Sequence, residues 1–121
     1  MDLRCLIVDD SIRFLKAASG LLEREGISVV GTACSGDDAL EQARQLRPDV
    51  LLLDIDLGGE SGLELARRLA EEPGLQASRT ILISTHDEED YAELIAASPA
   101  VGFLSKSDLS ASAIARLLAR P

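Results

Sequence analysis

Two hydrophobic rhythms alternate along this chain. Short apolar runs rich in Val, Ile and Leu occur at 3–8, 27–33, 50–53, 80–83 and 101–104. Near-continuous runs of this kind predict strands covered on both faces, as in parallel sheets. Between them the apolar positions recur at helical spacing. Phe14, Ala17, Ala18 and Leu21 mark a helix over 11–25, which Gly26 stops. Ser35 and the acids Asp37 and Asp38 open a second helix that runs to Leu46, with Ala39, Leu40, Ala43 and Leu46 inward. Gly58-Gly59 forces a turn, and Ser61 begins a third helix over 61–70 with Leu63, Ala66 and Leu69 in its stripe. A short fourth helix carries Tyr91, Leu94 and Ile95 and ends by Pro99. A last one covers 107–120, with Leu109, Ile114 and Leu117 inward. Strands and helices alternating through short connections predict an α/β, doubly wound, five-stranded parallel sheet with right-handed crossovers.

The third run goes straight into an acid, Val50-Leu51-Leu52-Leu53-Asp54, and Asp56 comes two residues on. Open α/β sheets place their chemistry outside the carboxyl ends of the strands. By that rule the first strand delivers Asp9 and Asp10, the third Asp54, the fourth Ser84 with Thr85, and the fifth Lys106, all to one rim. Three carboxylates there repel one another, which raised pKa values or a bound divalent cation would relieve. Hard oxygen ligands suit Mg²⁺. One acid could then attack phosphorus, with a lysine neutralising the phosphoryl oxygens. Taken singly, each residue also has a simpler reading: Asp54 as a turn or cap acid, Asp9-Asp10 as an N-cap pair, Ser84 as a turn residue, Lys106 as a solvated charge and His86 as a loop histidine.

Composition narrows the class. A length of 121 residues fits one domain spanning 1–121, and 46% hydrophobic with 27% charged residues describes an ordinary globular chain. Aromatics are only 2%, so Leu, Ile, Val and Ala must fill the core. Twelve Lys and Arg against twenty-one Asp and Glu give a net charge of -9, the wrong sign for direct nucleic-acid binding. Cys5 and Cys34 are too few and too far apart for a disulfide framework or a zinc site, and read as small buried hydrophobes in a reducing compartment. Neither a basic leader nor a membrane-length apolar run is visible, so a cytoplasmic protein without a membrane partner is expected.

The segments Leu6-Ile7-Val8-Asp9-Asp10, Pro48-Asp49-Val50-Leu51-Leu52-Leu53-Asp54, Ser61-Gly62-Leu63-Glu64, Ile81-Leu82-Ile83-Ser84 and Gly102-Phe103-Leu104-Ser105-Lys106 carry a resemblance over the whole chain. In order and spacing they resemble the receiver domain of bacterial two-component response regulators. The resemblance implies a flavodoxin-like (βα)5 sheet of order 2-1-3-4-5. It also implies a phosphoacceptor signalling domain, catalysing only its own phosphorylation and dephosphorylation, with a sensor histidine kinase as donor. Asp54 would be the phosphoacceptor. Asp10 and Asp54 would bind Mg²⁺ directly, Asp9 would assist, and the backbone carbonyl of Asp56 would complete the protein ligands. Lys106 would pair with the phosphoryl oxygens, the Ser84 hydroxyl would move to one of them, and the Phe103 ring would turn inward as it does. Asp56 and His86 would flank the phosphoryl site and set how fast water hydrolyses the acyl phosphate, whereas Thr85 stands where the family prefers a smaller alanine or glycine and would narrow the donor's approach. The face of the fourth helix, fifth strand and last helix would carry the message, as a homodimer or toward a C-terminal DNA-binding output domain outside this chain.

Departures from the family pattern carry expectations of their own. Ser107 replaces a frequent proline after Lys106, which disfavours a cis bond there. Gly58 replaces another, so the loop after Asp54 should be freer. Three other classes share parts of the pattern. Asp54-Ile55-Asp56 also resembles the nucleophile motif of haloacid-dehalogenase-type phosphatases, which steady turnover of a phosphate ester would reveal. A flavodoxin-like electron carrier would be coloured, and a receiver-like interaction module would work without phosphorylation. The segments 84–90 and 102–106 look most like receivers that precede a helix-turn-helix transcription domain.

Overall fold

The computed structural model describes residues 3–86 and 88–119. Its strands are β1 (Arg4–Val8), β2 (Ser28–Ala33), β3 (Val50–Asp54), β4 (Arg79–Ser84) and β5 (Gly102–Ser105). The helices are α1 (Ile12–Arg24), α2 (Gly36–Leu46), α3 (Gly62–Glu71), α4 (Ala92–Ala96) and α5 (Ala111–Leu118). The strands form one sheet of order β2-β1-β3-β4-β5, every pair parallel, as expected.

Because side chains alternate across a strand, each apolar run supplies two cores. Leu6, Val8, Leu51, Leu53, Leu82 and Phe103 pack on one face with the buried residues of α2 and α3. Cys5, Ile7, Val50, Leu52, Ile81 and Ile83 pack on the other with those of α1 and α5. Burial on both faces is why these strands read as continuous runs.

The structure corrects several helix expectations. In α1 the buried positions are Leu15, Ala18 and Leu22; Phe14 and Leu21 are half-buried and Ala17 is exposed. Ser11 accepts a hydrogen bond from Phe14 N at 3.2 Å and so marks where the helix starts, while packing of Leu15, Ala18 and Leu22 on the sheet sets its face and leaves Phe14 near the rim. In α3, Leu65, Ala66 and Leu69 are buried and Leu63 only partly. The last helix begins at Ala111 rather than 107, because Lys106–Asp108 forms a 3₁₀ turn and Ser110 caps α5 by accepting from Ala113 N at 3.0 Å. Leu109 is buried as expected, but just ahead of that helix. The end of the predicted helix, Arg120, lies outside the described residues. Leu94, on the short fourth helix as expected, is 55% exposed. Cys5 is buried, and burial pushes its thiol up to about 12, whereas Cys34 comes just after β2 at the end of an edge strand and is exposed. The described residues contain no cis peptide bond, in keeping with Ser107.

Candidate functional site

Four of the five apolar runs give way to a polar residue: Asp9 just after β1, Asp54 closing β3, Ser84 closing β4 and Ser105 closing β5. Val8 lies opposite Leu53, Asp54 opposite Ile83, and Ser84 opposite Ser105, so the carboxyl ends of these strands meet at one rim. Carboxylate oxygens of Asp9, Asp10 and Asp54 lie within 4.8 Å of one another. Asp9 is fully buried and Asp54 is 6% exposed, while Asp10 faces solvent. Local backbone donors aim the two buried acids. Asp9 Oδ1 accepts from Ser11 N at 2.8 Å and Asp54 Oδ1 from Asp56 N at 3.2 Å.

Lys106, at the first turn after β5, closes the site. Its Nζ lies 2.6 Å from Asp9 Oδ2 and 3.4 Å from Asp54 Oδ2, with the side chain 15% exposed. The closer contact is an ion pair of poor direction, so Asp9 Oδ2 is buried without an aligned hydrogen-bond donor. The ring of Phe14 covers the same ammonium at 4.4 Å from its centroid, a cation–π contact.

Burial pushes the Asp54 carboxyl up to about 6. The Asp56 amide opposes that shift, the Asp9 charge adds to it, and Lys106 opposes it. Burial pulls the Lys106 ammonium down, but the contact with Asp9 and the charges of Asp54 and Asp9 more than reverse this, and its pKa is raised. The rim therefore holds more negative charge than its one lysine satisfies.

The donor set fits a hard divalent cation. Three carboxylates converge, one buried oxygen lacks an aligned donor, and Asp10 leaves the outer side open to water. Among the described residues no hydrogen bond ends on the Asp56 carbonyl oxygen.

The other expected residues fall around this core. Ser84 is buried; its Oγ accepts from His86 N at 3.0 Å and lies 3.4 Å from His86 Nδ1. The Phe103 ring is already inward, 9% exposed, while the Ser84 hydroxyl is engaged with His86. Asp56, Thr85 and His86 are exposed beside the rim. Phe14 was legible only as an apolar helix position. Its place in the first turn of α1, directly after the acids, is the signal that could have tied it to Lys106.

Comparison with known proteins agrees with this geometry. The model of the response regulator receiver domain family matches residues 5–117. A protein-glutamate methylesterase/protein-glutamine glutaminase of Archaeoglobus fulgidus is 35% identical over 108 residues, which are 88% of this chain and 30% of that protein. The response regulator GacA of Pseudomonas viridiflava is 31% identical over 106 residues, 86% of this chain and 48% of that protein. This chain thus spans less than half the length of these two relatives. Among solved structures, the signal receiver domain of NarL from Mycobacterium tuberculosis superposes with a TM-score of 0.83 at 28% identity, over 98% of both chains. A LuxR-family response regulator from Aurantimonas gives 0.86 at 26%, over 99% of this chain and 88% of that one. With nearly all of the sequence matched and the acidic rim in place, the chain belongs to the response regulator receiver domain family.

Proposed function

We propose that Asp54 accepts a phosphoryl group from a phosphohistidine of a sensor kinase and that the surrounding rim holds and times it. The observation that carries this reading is the convergence of Asp9, Asp10 and Asp54 under a single ammonium, Lys106 Nζ. A carboxylate oxygen of Asp54 attacks phosphorus, the O–P bond forms and the N–P bond of the phosphoimidazole breaks. The imidazole nitrogen keeps the electron pair and takes a proton from solvent. Asp54 must be ionised to attack, and with its pKa near 6 it is largely so at neutral pH.

Asp10 and Asp54, assisted by Asp9 and the Asp56 carbonyl, would hold Mg²⁺. When bound, the ion neutralises the acids and the phosphoryl oxygens. Lys106 is close enough to both buried acids to exchange Asp9 for a phosphoryl oxygen. The Ser84 hydroxyl leaves the His86 amide for another, and Asp56 and His86, exposed on either side, set how readily water reaches phosphorus. Thr85 narrows the donor's approach. The chain turns over no other substrate.

The added charge of about -1.5 to -2 biases the segment after β4 and the adjoining α4–β5–α5 face. That face would carry the signal as a homodimer surface or toward an output domain in the cytoplasm. Relatives named as response regulators and as a protein-glutamate methylesterase/protein-glutamine glutaminase match this chain alike, and we take the output to be transcriptional. No helix among the described residues is long and apolar enough to cross a membrane.

The test is incubation with acetyl phosphate, with and without Mg²⁺, and then intact mass. Wild type should gain one phosphoryl group only with Mg²⁺, and Asp54→Asn none. Equal uptake by the variant would defeat the reading.

A further inference from the structure

The loop between β3 and α3 carries the Asp56 carbonyl and presses on the acids. It contains Gly58 at φ +60° and Gly59 at φ +104°, and a Cβ added at Gly58 would stand 2.6 Å from Asp10 Oδ2. Proline, fixed near φ -65°, cannot take that conformation, so the stiffness it would lend is out of reach here. A two-glycine loop has much conformational freedom to lose when it orders.

Other contacts restrain it. Leu57 is buried, Leu57 N donates to Glu60 O at 3.0 Å, Glu60 N donates back at 3.4 Å, and Asp56 pairs with Ser61. A further tie leaves the loop altogether. Glu60 Oε2 accepts a hydrogen bond from Gly36 N, at the start of α2, at 2.7 Å. Ser35 Oγ caps α2 at Asp38 N, so the Gly36 amide is another first-turn donor without a helical partner, and it finds one on a different loop. Charge alone would not bring Glu60 there. That helix end already has Asp37 and Asp38, so a third acid is held by a directed hydrogen bond rather than by net attraction.

We propose that Glu60 is a positioning residue: it fastens the β3–α3 loop to the first turn of α2 and so holds the loop's part of the Mg²⁺ site in place before the ion arrives. The proposal rests on the Mg²⁺ reading given above. Without the tie, the loop must be ordered at the moment of binding, and affinity falls by that cost.

Calorimetric titration of the whole chain with Mg²⁺ alone tests it, alongside amide exchange at Gly36. Glu60→Ala should weaken Mg²⁺ binding about three- to tenfold, the factor set by the net worth of one hydrogen bond, and speed exchange at Gly36. Glu60→Gln keeps an acceptor without the charge and, with about half the bond's strength left, should lose no more than about threefold. Ser35→Ala removes the neighbouring cap, weakens α2 and should leave Mg²⁺ affinity unchanged. Glu60→Ala binding like wild type overturns the tie. So does Glu60→Gln falling as far as Glu60→Ala, which would make the effect one of charge, or Ser35→Ala doing the same, which would make it one of helix stability. Wild type failing to bind Mg²⁺ would defeat the site reading and this proposal together, whereas the other outcomes defeat the tie alone.

Discussion

Two connections leave the acidic rim side by side, after β3 and after β4, and they are held very differently. The first turns through a closed loop with Leu57 buried, then enters α3 through a Ser61 cap on Glu64 N and a Gly62 N to Ile55 O hydrogen bond of 2.7 Å. Just past the end of α3, Glu72 pairs with Arg44 of α2 at 2.5 Å. The second passes through a 3₁₀ segment, Glu88–Tyr91, into the five-residue α4, which has no side-chain cap and no buried residue. Nor is α5 loose. Glu25 Oε1 accepts from Ala111 N at one end, and Arg79 Nη1 donates to Leu118 O at the other. The lesson is a division of labour. Ligands for a phosphoryl group must be fixed, whereas an element that reports its arrival must be cheap to move. On this sheet the fixed and movable segments sit on adjacent strands, one joined to Asp54 and the other to Ser84.

The comparison breaks most easily at Gly62. A Cβ there would overlap the Asp54 carbonyl oxygen, so backbone must shift. Gly62→Ala should cost on the order of 3 kcal/mol in urea unfolding and abolish phosphorylation. If instead α3 tolerates the methyl, the first connection is not the rigid one.

Asp54→Asn tests the electrostatic strain stored there. A carboxyl whose folded pKa is raised binds its proton more tightly in the native state, so its unfavourable contribution develops as pH rises from about 4 through about 6. In Mg²⁺-free buffer the variant should be about 2 kcal/mol more stable than wild type at pH 7.5, and that gain should vanish toward pH 4. A gain that grows in acid would contradict the sign. Smaller still, Gly58→Ala must hold φ +60° and meet Asp10, and should cost about 1–2 kcal/mol while weakening Mg²⁺ binding in calorimetry. At the other connection, Leu94→Ala should move stability by no more than about 0.5 kcal/mol, because the side chain is mostly in water. A larger loss in chemical denaturation would show that α4 is anchored after all.

Much of this was legible in the sequence. The strands could be read because burial on both faces makes them continuously apolar, and Asp54 stood out because Leu53 runs directly into it. The features that could not be read depend on caps and distant polar contacts. The phase of α1 turns on which apolar residues the sheet accepts, with Phe14 and Leu15 equally apolar on paper, and the start of α5 turns on Ser110. The exposure of Cys34 depends on an edge strand's end, and that of Leu94 on how little chain α4 has. The contact between Glu60 and the Gly36 amide could not be read either, because its partner lies 24 residues away.

The central claim is that Asp54, and no neighbouring acid, takes the phosphoryl group. Borohydride reduces an acyl phosphate to an alcohol, so treating the phosphorylated chain and sequencing its peptides by mass marks the acceptor as homoserine. The account predicts homoserine at position 54 alone; label at Asp9, Asp10 or Asp56, or none at all, would contradict it.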